Sequence, residues 1–401
     1  MPPADPPTAP IRIARIITRL NVGGPAIQAI EMSARLESRG CHTLLIHGRL
    51  GRGEGDMRYL VPPERSFDMA YVPALRRELA PLADAAAVTH VFRLLRRFRP
   101  AIVHTHMAKA GTVGRAAALL YNSTAGRRAP ARLVHTYHGH VLDGYFSTWA
   151  ARGFTAMERA LGRSTDALIA VSPAVRHDLL ERYGIGTAAR FHVVPLGFDL
   201  SRLASLRPAD RLAAREALRL DANARVAALV GRLTAIKQPE LFIEAAGRVA
   251  RVDQRARFLV AGGGELESAL RMMVADRGLS ERVRFLGWQR DISAIYAASD
   301  VVAVTSRNEG TPVALIEGMA AAVPGVCFAI GGVPDVVTAP GLGVLVPEGD
   351  VAALAAAIHH LFDDDRHRAE IGAHARASVM ERFGIDRLVR DLAALYRELI
   401  G

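Results

Sequence analysis

Cysteine is nearly absent. Cys41 and Cys327 are the only two in 401 residues and lie far apart in the chain. That excludes a disulfide framework and a cysteine-ligated zinc site, and it fits a reducing compartment. No run of about 18 apolar residues occurs, so no membrane-spanning helix is expected. The first ten residues, MPPADPPTAP, lack the basic-then-apolar layout of a signal peptide and are expected to be a disordered tail. The expectation is a cytoplasmic protein. Lysine is also scarce: Lys109 and Lys237 stand alone, and 49 of the 51 basic residues are arginine. A compact ammonium on a flexible stem suits point-charge contact with a phosphate. The alternative is chance survival in an arginine-biased composition.

What the chain has in excess is positive charge and apolar residues. Half of it is hydrophobic, which excludes wholesale disorder. The net charge of +11 is unevenly placed. Residues 1–198 hold 26 Lys and Arg against 14 Asp and Glu, net +12; residues 199–401 hold 25 against 26, net −1. The densest basic stretch is Arg93, Arg96, Arg97 and Arg99, interleaved with Val91, Phe92, Leu94, Leu95 and Phe98 at helical spacing. Two readings stay open. One is a solvated helix face; the other is a patch that meets anionic lipid headgroups or a phosphorylated acceptor.

Apolar strand-like runs alternate with helical stretches, the sign of α/β architecture. Strands are predicted at 11–17, 41–47, 101–104, 132–136, 167–171 and 191–194. The glycine- and proline-rich residues 48–75 read as a long loop. After a linker at 195–199 the pattern repeats, with strands at 225–230, 257–260, 283–285, 301–305 and 325–328. Helices are predicted at 26–39, 83–98, 240–251, 265–277, 312–322, 351–361 and 366–382, and residues 385–400 are amphipathic. This predicts two doubly wound domains, 11–198 and 199–384, with their strand C-termini around one cleft, where such sheets bind ligands.

Several short motifs carry chemistry. Gly23-Gly24-Pro25 follows the first strand and opens a helix, where backbone N–H groups bind an anion or merely make a tight turn. Gly231-Arg232-Leu233 and Lys237 follow the first strand of the second half, so two cations are available to a leaving diphosphate. In the segment from Ser306 to Glu317, Thr311 is suited to cap a helix that Pro312 starts, with Glu309 in the preceding loop and Glu317 inside the helix. A carboxylate among Ala314, Leu315, Ile316 and Met319 needs hydrogen-bond donors, from sugar hydroxyls or from an arginine at the edge of the core. His104, His106, His135, His138 and His140 cluster after two strands. A metal is conceivable there, but the nearest acid is Asp143, and lining a cleft or local packing are the stronger readings.

Taken in order, these motifs resemble the retaining glycosyltransferases of family 4, which have the GT-B fold. The resemblance covers nearly the whole chain after residue 10. It rests on Gly23-Gly24, His138-Gly139, Pro195-Leu196-Gly197-Phe198-Asp199, Gly231-Arg232 with Lys237, and Ala261-Gly262-Gly263-Gly264. Phe285-Leu286-Gly287, the pair Glu309 and Glu317, and Gly331-Gly332-Val333-Pro334-Asp335 complete it. The stretches from His104 to Gly111 and Thr136 to His140 look like members that build bacterial polysaccharide and lipid-linked glycans. The resemblance implies transfer of a hexose or N-acetylhexosamine from a nucleoside-diphosphate sugar, with UDP favoured, and with no cofactor and no metal. Arg232 and Lys237 would grip the diphosphate. Glu309, with Gly310, Thr311 and Pro312, would contact the sugar. Glu317 would bind the ribose, and the region of Trp288 the base. Gly23 and Gly24 would face the donor phosphate and His138 the transferred sugar. His106 and Lys109 join the expected substrate contacts. Where many relatives have Gly-Phe-Gly, this chain has Gly310-Thr311-Pro312. The helix at 385–400 is expected to cross back to the first domain. The +12 half suits a lipid-linked acceptor at the inner membrane face.

Two rivals remain at this level. A sugar-nucleotide 2-epimerase shares the two-domain shape but needs no acceptor. A nucleic-acid-binding protein would explain the charge, yet no recognised binding motif is present.

Overall fold

The computed structural model describes residues 10–21, 23–51, 54–61, 64, 66–138 and 148–401. Residues 1–9 of the tail expected at 1–10, and Gly139, His140 and Asp143, lie outside the described residues. The chain divides into two compact units, residues 1–197 with 386–401, and residues 198–385.

In the first unit the described strands are β1 (Ile11–Ile17), β2 (Cys41–His47), β3 (Asp68–Tyr71), β4 (Ile102–His106), β5 (Arg132–Tyr137), β6 (Ala167–Ala170) and β7 (Phe191–Val193). They form one parallel sheet in the order β3-β2-β1-β4-β5-β6-β7. The helices α1 (Gly24–Arg35), α2 (Pro81–Phe98), α3 (Ala108–Ser123) and α4 (Thr148–Arg163) connect them. Strands covered on both faces are near-continuous apolar runs, as parallel sheets require. β1, IRIARII, is the exception that matters later: Arg15 lies mid-strand and is fully buried.

The second unit holds β8 (Arg225–Val230), β9 (Ala256–Ala261), β10 (Val283–Gly287), β11 (Val301–Val304), β12 (Gly325–Phe328) and β13 (Val344–Val346), again parallel, in the order β10-β9-β8-β11-β12-β13. Both sheets share the Rossmann strand order, which reverses between the first and fourth strands of each. The reversal lies between β1 and β4 in one sheet and between β8 and β11 in the other.

Three expectations change. Residues 48–75 are not loop throughout, because the edge strand β3 pairs with β2 there; four residues at an edge carry too little alternation to stand out. β4 runs on to His106, so His104 and His106 are strand residues and not loop residues. α3 and α4 were not read as helices from sequence. α3, AKAGTVGRAAALLYNS, is rich in small residues and lacks a clean polar stripe. Its glycines serve close packing. A Cβ on Gly111 would lie 2.5 Å from the His135 ring, and one on Gly114 would lie 2.6 Å from Thr105.

A buried charge network anchors the second sheet at the strand ends away from its loops of interest. Asp300, just before β11, accepts from Arg211 (2.5 Å), Arg215 (2.8 Å) and the Val226 backbone N–H (2.8 Å). Removing one member of a buried ion network strands the others in low dielectric, at about 3–5 kcal/mol. Asp300→Ala is therefore expected to lower stability by about that much in urea denaturation, with Asp300→Asn intermediate; an unchanged midpoint would show that the network is not an anchor.

Candidate active site

The second unit brings its charged motifs together at the switch point. The loop after β8 carries Arg232 and Lys237; the loop after β11 carries Ser306 and Glu309. Lys237 Nζ lies 2.5 Å from Glu309 Oε1, and Ser306 Oγ donates to the same oxygen at 2.6 Å. The loops are also tied by backbone: Arg307 N–H donates to Ile236 O (2.9 Å) and Thr305 Oγ1 to Lys237 O (3.0 Å). Arg232 is exposed, and its guanidinium has no partner among the described residues.

The glycine motifs explain themselves here. Gly262 sits at φ 139°, and a Cβ on it would lie 1.8 Å from Gly231 O; one on Gly332 would lie 2.2 Å from Gly310 O. Only glycine admits such backbone approach. The 262–264 turn thus holds the Arg232 loop, while Gly332 N–H donates to Glu309 O at 2.7 Å and holds the Glu309 loop. Gln238, directly after Lys237, occupies the left-handed region at φ 44°. That costs a non-glycine residue about 1–2 kcal/mol, the kind of strain that collects at functional sites.

The same loops carry unmet polar groups. Thr234 Oγ1, Gln238 Oε1 and Thr311 Oγ1 are buried without a hydrogen-bond partner among the described residues. Thr311 does not cap the following helix, Val313–Ala320, as its sequence position suggested; Pro312 flanks that helix and no side chain caps it. Buried polar atoms are nearly always paired, so three unmet ones on these two loops stand out. Glu317, one turn into the helix, is partly buried and has no arginine partner among the described residues. It accepts from Tyr296 Oη at 2.8 Å, and burial pushes its carboxyl up to about 7. Trp288, just after β10, is 41% exposed.

In the first unit Gly23 (φ 152°) precedes α1 and Gly24 begins it; Pro25 has no N–H, and the Ala26 and Ile27 N–H groups donate to Gly23 O. Lys109 is not a free cation: it pairs with Asp84 of α2. The histidines form two layers. On one face of the sheet His104, His106 and His138 share a network with Arg15, Thr136 and Tyr396 of the C-terminal helix Ile385–Ile400. That helix is further tied to this unit by Arg387 on the carbonyls of Pro195 and Leu196. On the other face His135 bonds Thr105 (2.7 Å), and Arg115 of α3 meets Glu158 of α4 at 2.7 Å, with Tyr137 Oη donating to Glu158. His106 is fully buried, with both ring nitrogens engaged, so it stands behind His138. Among the described residues no group of three His, Cys, Asp or Glu is placed to hold a metal ion.

Comparison with known proteins decides the family. The model for glycosyltransferase family 4 matches residues 22–202, and that for glycosyl transferases group 1 matches residues 210–378. A D-inositol 3-phosphate glycosyltransferase of Xylanimonas cellulosilytica is 32% identical over 318 residues, 74% of this chain and 72% of that protein. The chain belongs to glycosyltransferase family 4. An Escherichia coli UDP-Gal:alpha-D-GlcNAc-diphosphoundecaprenol alpha-1,3-galactosyltransferase is 28% identical over 345 residues, 85% of this chain and 86% of that one. The Anabaena HepE structure in complex with UDP superposes with a TM-score of 0.79 at 22% identity, covering 97% of this chain and all (100%) of that one. The fold of this glycosyltransferase is GT-B.

Arg15 and Tyr396 of the first unit and Tyr296 of the second escaped sequence reasoning. Only Arg15 left a signal, a lone charge inside an apolar strand run. Burial of the Glu317 carboxyl, opposed in part by the Tyr296 hydrogen bond, gives this glycosyltransferase a pH dependence. The free carboxyl ionises near 4.5 and the buried one near 7, so the folded state binds the proton more tightly. The resulting stabilisation is complete below about 4.5, shrinks as pH rises, and is gone above about 7. Glu317→Gln is expected to flatten the decline between these limits by on the order of 3 kcal/mol in denaturant midpoints read across that range; identical slopes in both proteins would refute the assignment.

Proposed function

We propose that this glycosyltransferase moves a hexose or N-acetylhexosamine from UDP to a lipid-linked saccharide, with retention at the anomeric carbon. The observation that carries this reading is the Lys237–Glu309 pair between the two switch-point loops. In it a cation suited to a diphosphate and an acceptor suited to sugar hydroxyls neutralise each other until a donor replaces both partners. The bond from the anomeric carbon to the diphosphate breaks, a bond to the acceptor oxygen forms on the same face, and negative charge builds on the leaving diphosphate, which takes the proton that the acceptor hydroxyl loses. Lys237 and the unpaired Arg232 stabilise that charge without a metal. Glu309 and the 310–312 backbone, with Thr311 Oγ1, take the sugar hydroxyls. Glu317 takes the ribose, Trp288 the base, Gly23 and Gly24 a phosphate, and His138 the sugar. The name of the E. coli relative, which acts from UDP-Gal on a diphosphoundecaprenol glycan, supports both the carrier and the acceptor class.

The +12 half supports peripheral contact with an anionic membrane. Arg93, Arg96 and Arg97 are exposed at the end of α2; Leu119 and Leu120, at the end of the neighbouring α3, and the following Arg127 and Arg128 are exposed too. No helix among the described residues is long and apolar enough to cross a membrane.

Lys237→Ala is expected to lower kcat by about 10²–10³ while the thermal midpoint stays put. In wild type, UDP and UDP-sugars are expected to raise that midpoint above what GDP or ADP give, with or without EDTA. Full activity in Lys237→Ala, or no shift with any nucleotide, would sink the donor-site reading. The pair Arg96→Glu and Arg97→Glu is expected to weaken sedimentation with phosphatidylglycerol vesicles while leaving transfer to a soluble acceptor intact; binding equal to wild type would remove the membrane patch.

A further inference from the structure

The network around Arg15 has a direction. A guanidinium only donates hydrogen bonds. Arg15 Nη1 is 2.9 Å from His106 Nε2, so that nitrogen accepts and carries no proton. Burial and the neighbouring Arg15 charge hold His106 and His138 far below the usual imidazole range, and each is neutral with a single N–H. The proton of His106 is therefore on Nδ1, which faces His138 Nε2 at 3.0 Å. That nitrogen accepts in turn, which leaves the His138 proton on Nδ1.

The second arm of Arg15 obeys the same logic. Nη2 donates to Tyr396 Oη at 3.2 Å, and that hydroxyl donates to His104 Nδ1 at 2.6 Å. His104 then carries its proton on Nε2 and donates to Thr136 Oγ1 at 2.7 Å. One assignment thus satisfies every ring nitrogen of the three histidines but one. The exception is His138 Nδ1, which is buried and has no partner among the described residues.

We propose that Arg15, acting through His106, locks His138 as the Nδ1–H tautomer, so that His138 pairs only with a hydrogen-bond acceptor on the bound ligand. Arg15 and His106 are positioning residues. The ligand oxygen opposite His138 takes a proton in its hydrogen bond and gives none, so a donor sugar reduced to the deoxy form at that position loses the contact. The identification of that oxygen with the transferred sugar rests on the function proposed above; the tautomer itself does not.

The test is the ring-nitrogen spectrum of the full chain labelled with ¹⁵N-histidine, with His106→Asn and His138→Asn used to assign signals. In the free protein both His106 and His138 are expected to show a protonated Nδ1 and an unprotonated Nε2. A protonated Nε2 on His138 would overturn the proposal. Arg15→Met is expected to give His138 a mixture of tautomers, and Arg15→Lys, which keeps a cationic donor, to restore the Nδ1–H form; an unmixed Nδ1–H form in Arg15→Met would overturn the role of Arg15. If Arg15→Met does not fold, the wild-type and Arg15→Lys spectra still decide the tautomer. Addition of UDP-glucose and UDP-galactose then separates the two readings. A shift of His138 Nδ1 supports the sugar contact. An Nδ1–H tautomer unmoved by every donor overturns the sugar contact and supports the lock.

Discussion

Each sheet reverses its strand order once, and the chemistry of each unit gathers at that point. Where neighbouring strands send their connections to opposite sides, the loops diverge and backbone N–H groups and side chains stand exposed at the strand ends. In the second sheet that geometry alone brings residues 72 positions apart, Lys237 and Glu309, into one ion pair. Nothing else in the unit need be specialised. The buried Asp300 network fixes the far end of β11, and glycines at 262 and 332 let supporting turns press against the two loops.

The two units solve the same electrostatic problem in opposite ways. The second keeps its charges at the edge, in a partly exposed pair. The first buries a guanidinium between strands and covers it with the C-terminal helix, so Arg15 acts only through what it touches. A buried charge is expensive unless its hydrogen bonds are met. Arg15 meets part of that cost with a histidine and a tyrosine, not with a carboxylate, while its Nε has no partner among the described residues. It therefore remains a net positive source inside the sheet, and its charge adds to burial, the larger cause, in keeping the neighbouring imidazoles neutral.

Much of this was legible in the sequence because strands covered on both faces are simple apolar runs and because the motifs fall at their ends. Gly231-Arg232 with Lys237, and Glu309 with Glu317, read directly as charges placed after strands. What stayed hidden depends on distance through space. Tyr396 meets His104 across 292 positions, and no local pattern announces a tyrosine hydroxyl that sorts protons among histidines. Tyr296 is equally silent, and Glu317 taken alone pointed to sugar hydroxyls, with an arginine as the alternative, and not to a tyrosine. The pairing of Lys109 stayed hidden for the same reason. Its rarity marked it, but Asp84, a helix away, already holds its charge.

Topology also bears on the basic run at 93–99. α2 leaves the sheet after β3 and returns to it before β4, so Arg93, Arg96 and Arg97 lie toward the strand N-termini, while His138 and the Gly23 turn lie at the strand C-termini. An 18-residue helix is about 27 Å long. Arginines at its far end do not reach an acceptor hydroxyl held near His138. Screened over roughly 8–10 Å in physiological salt, they do not steer it closely either. A phosphorylated acceptor bound by these side chains is thus the weaker of the two readings of the run. A surface that meets the patch as a plane, while the strand C-termini stay open to substrate, is the stronger. Charge was visible in the composition, but only the direction of one helix says which end of the unit it serves.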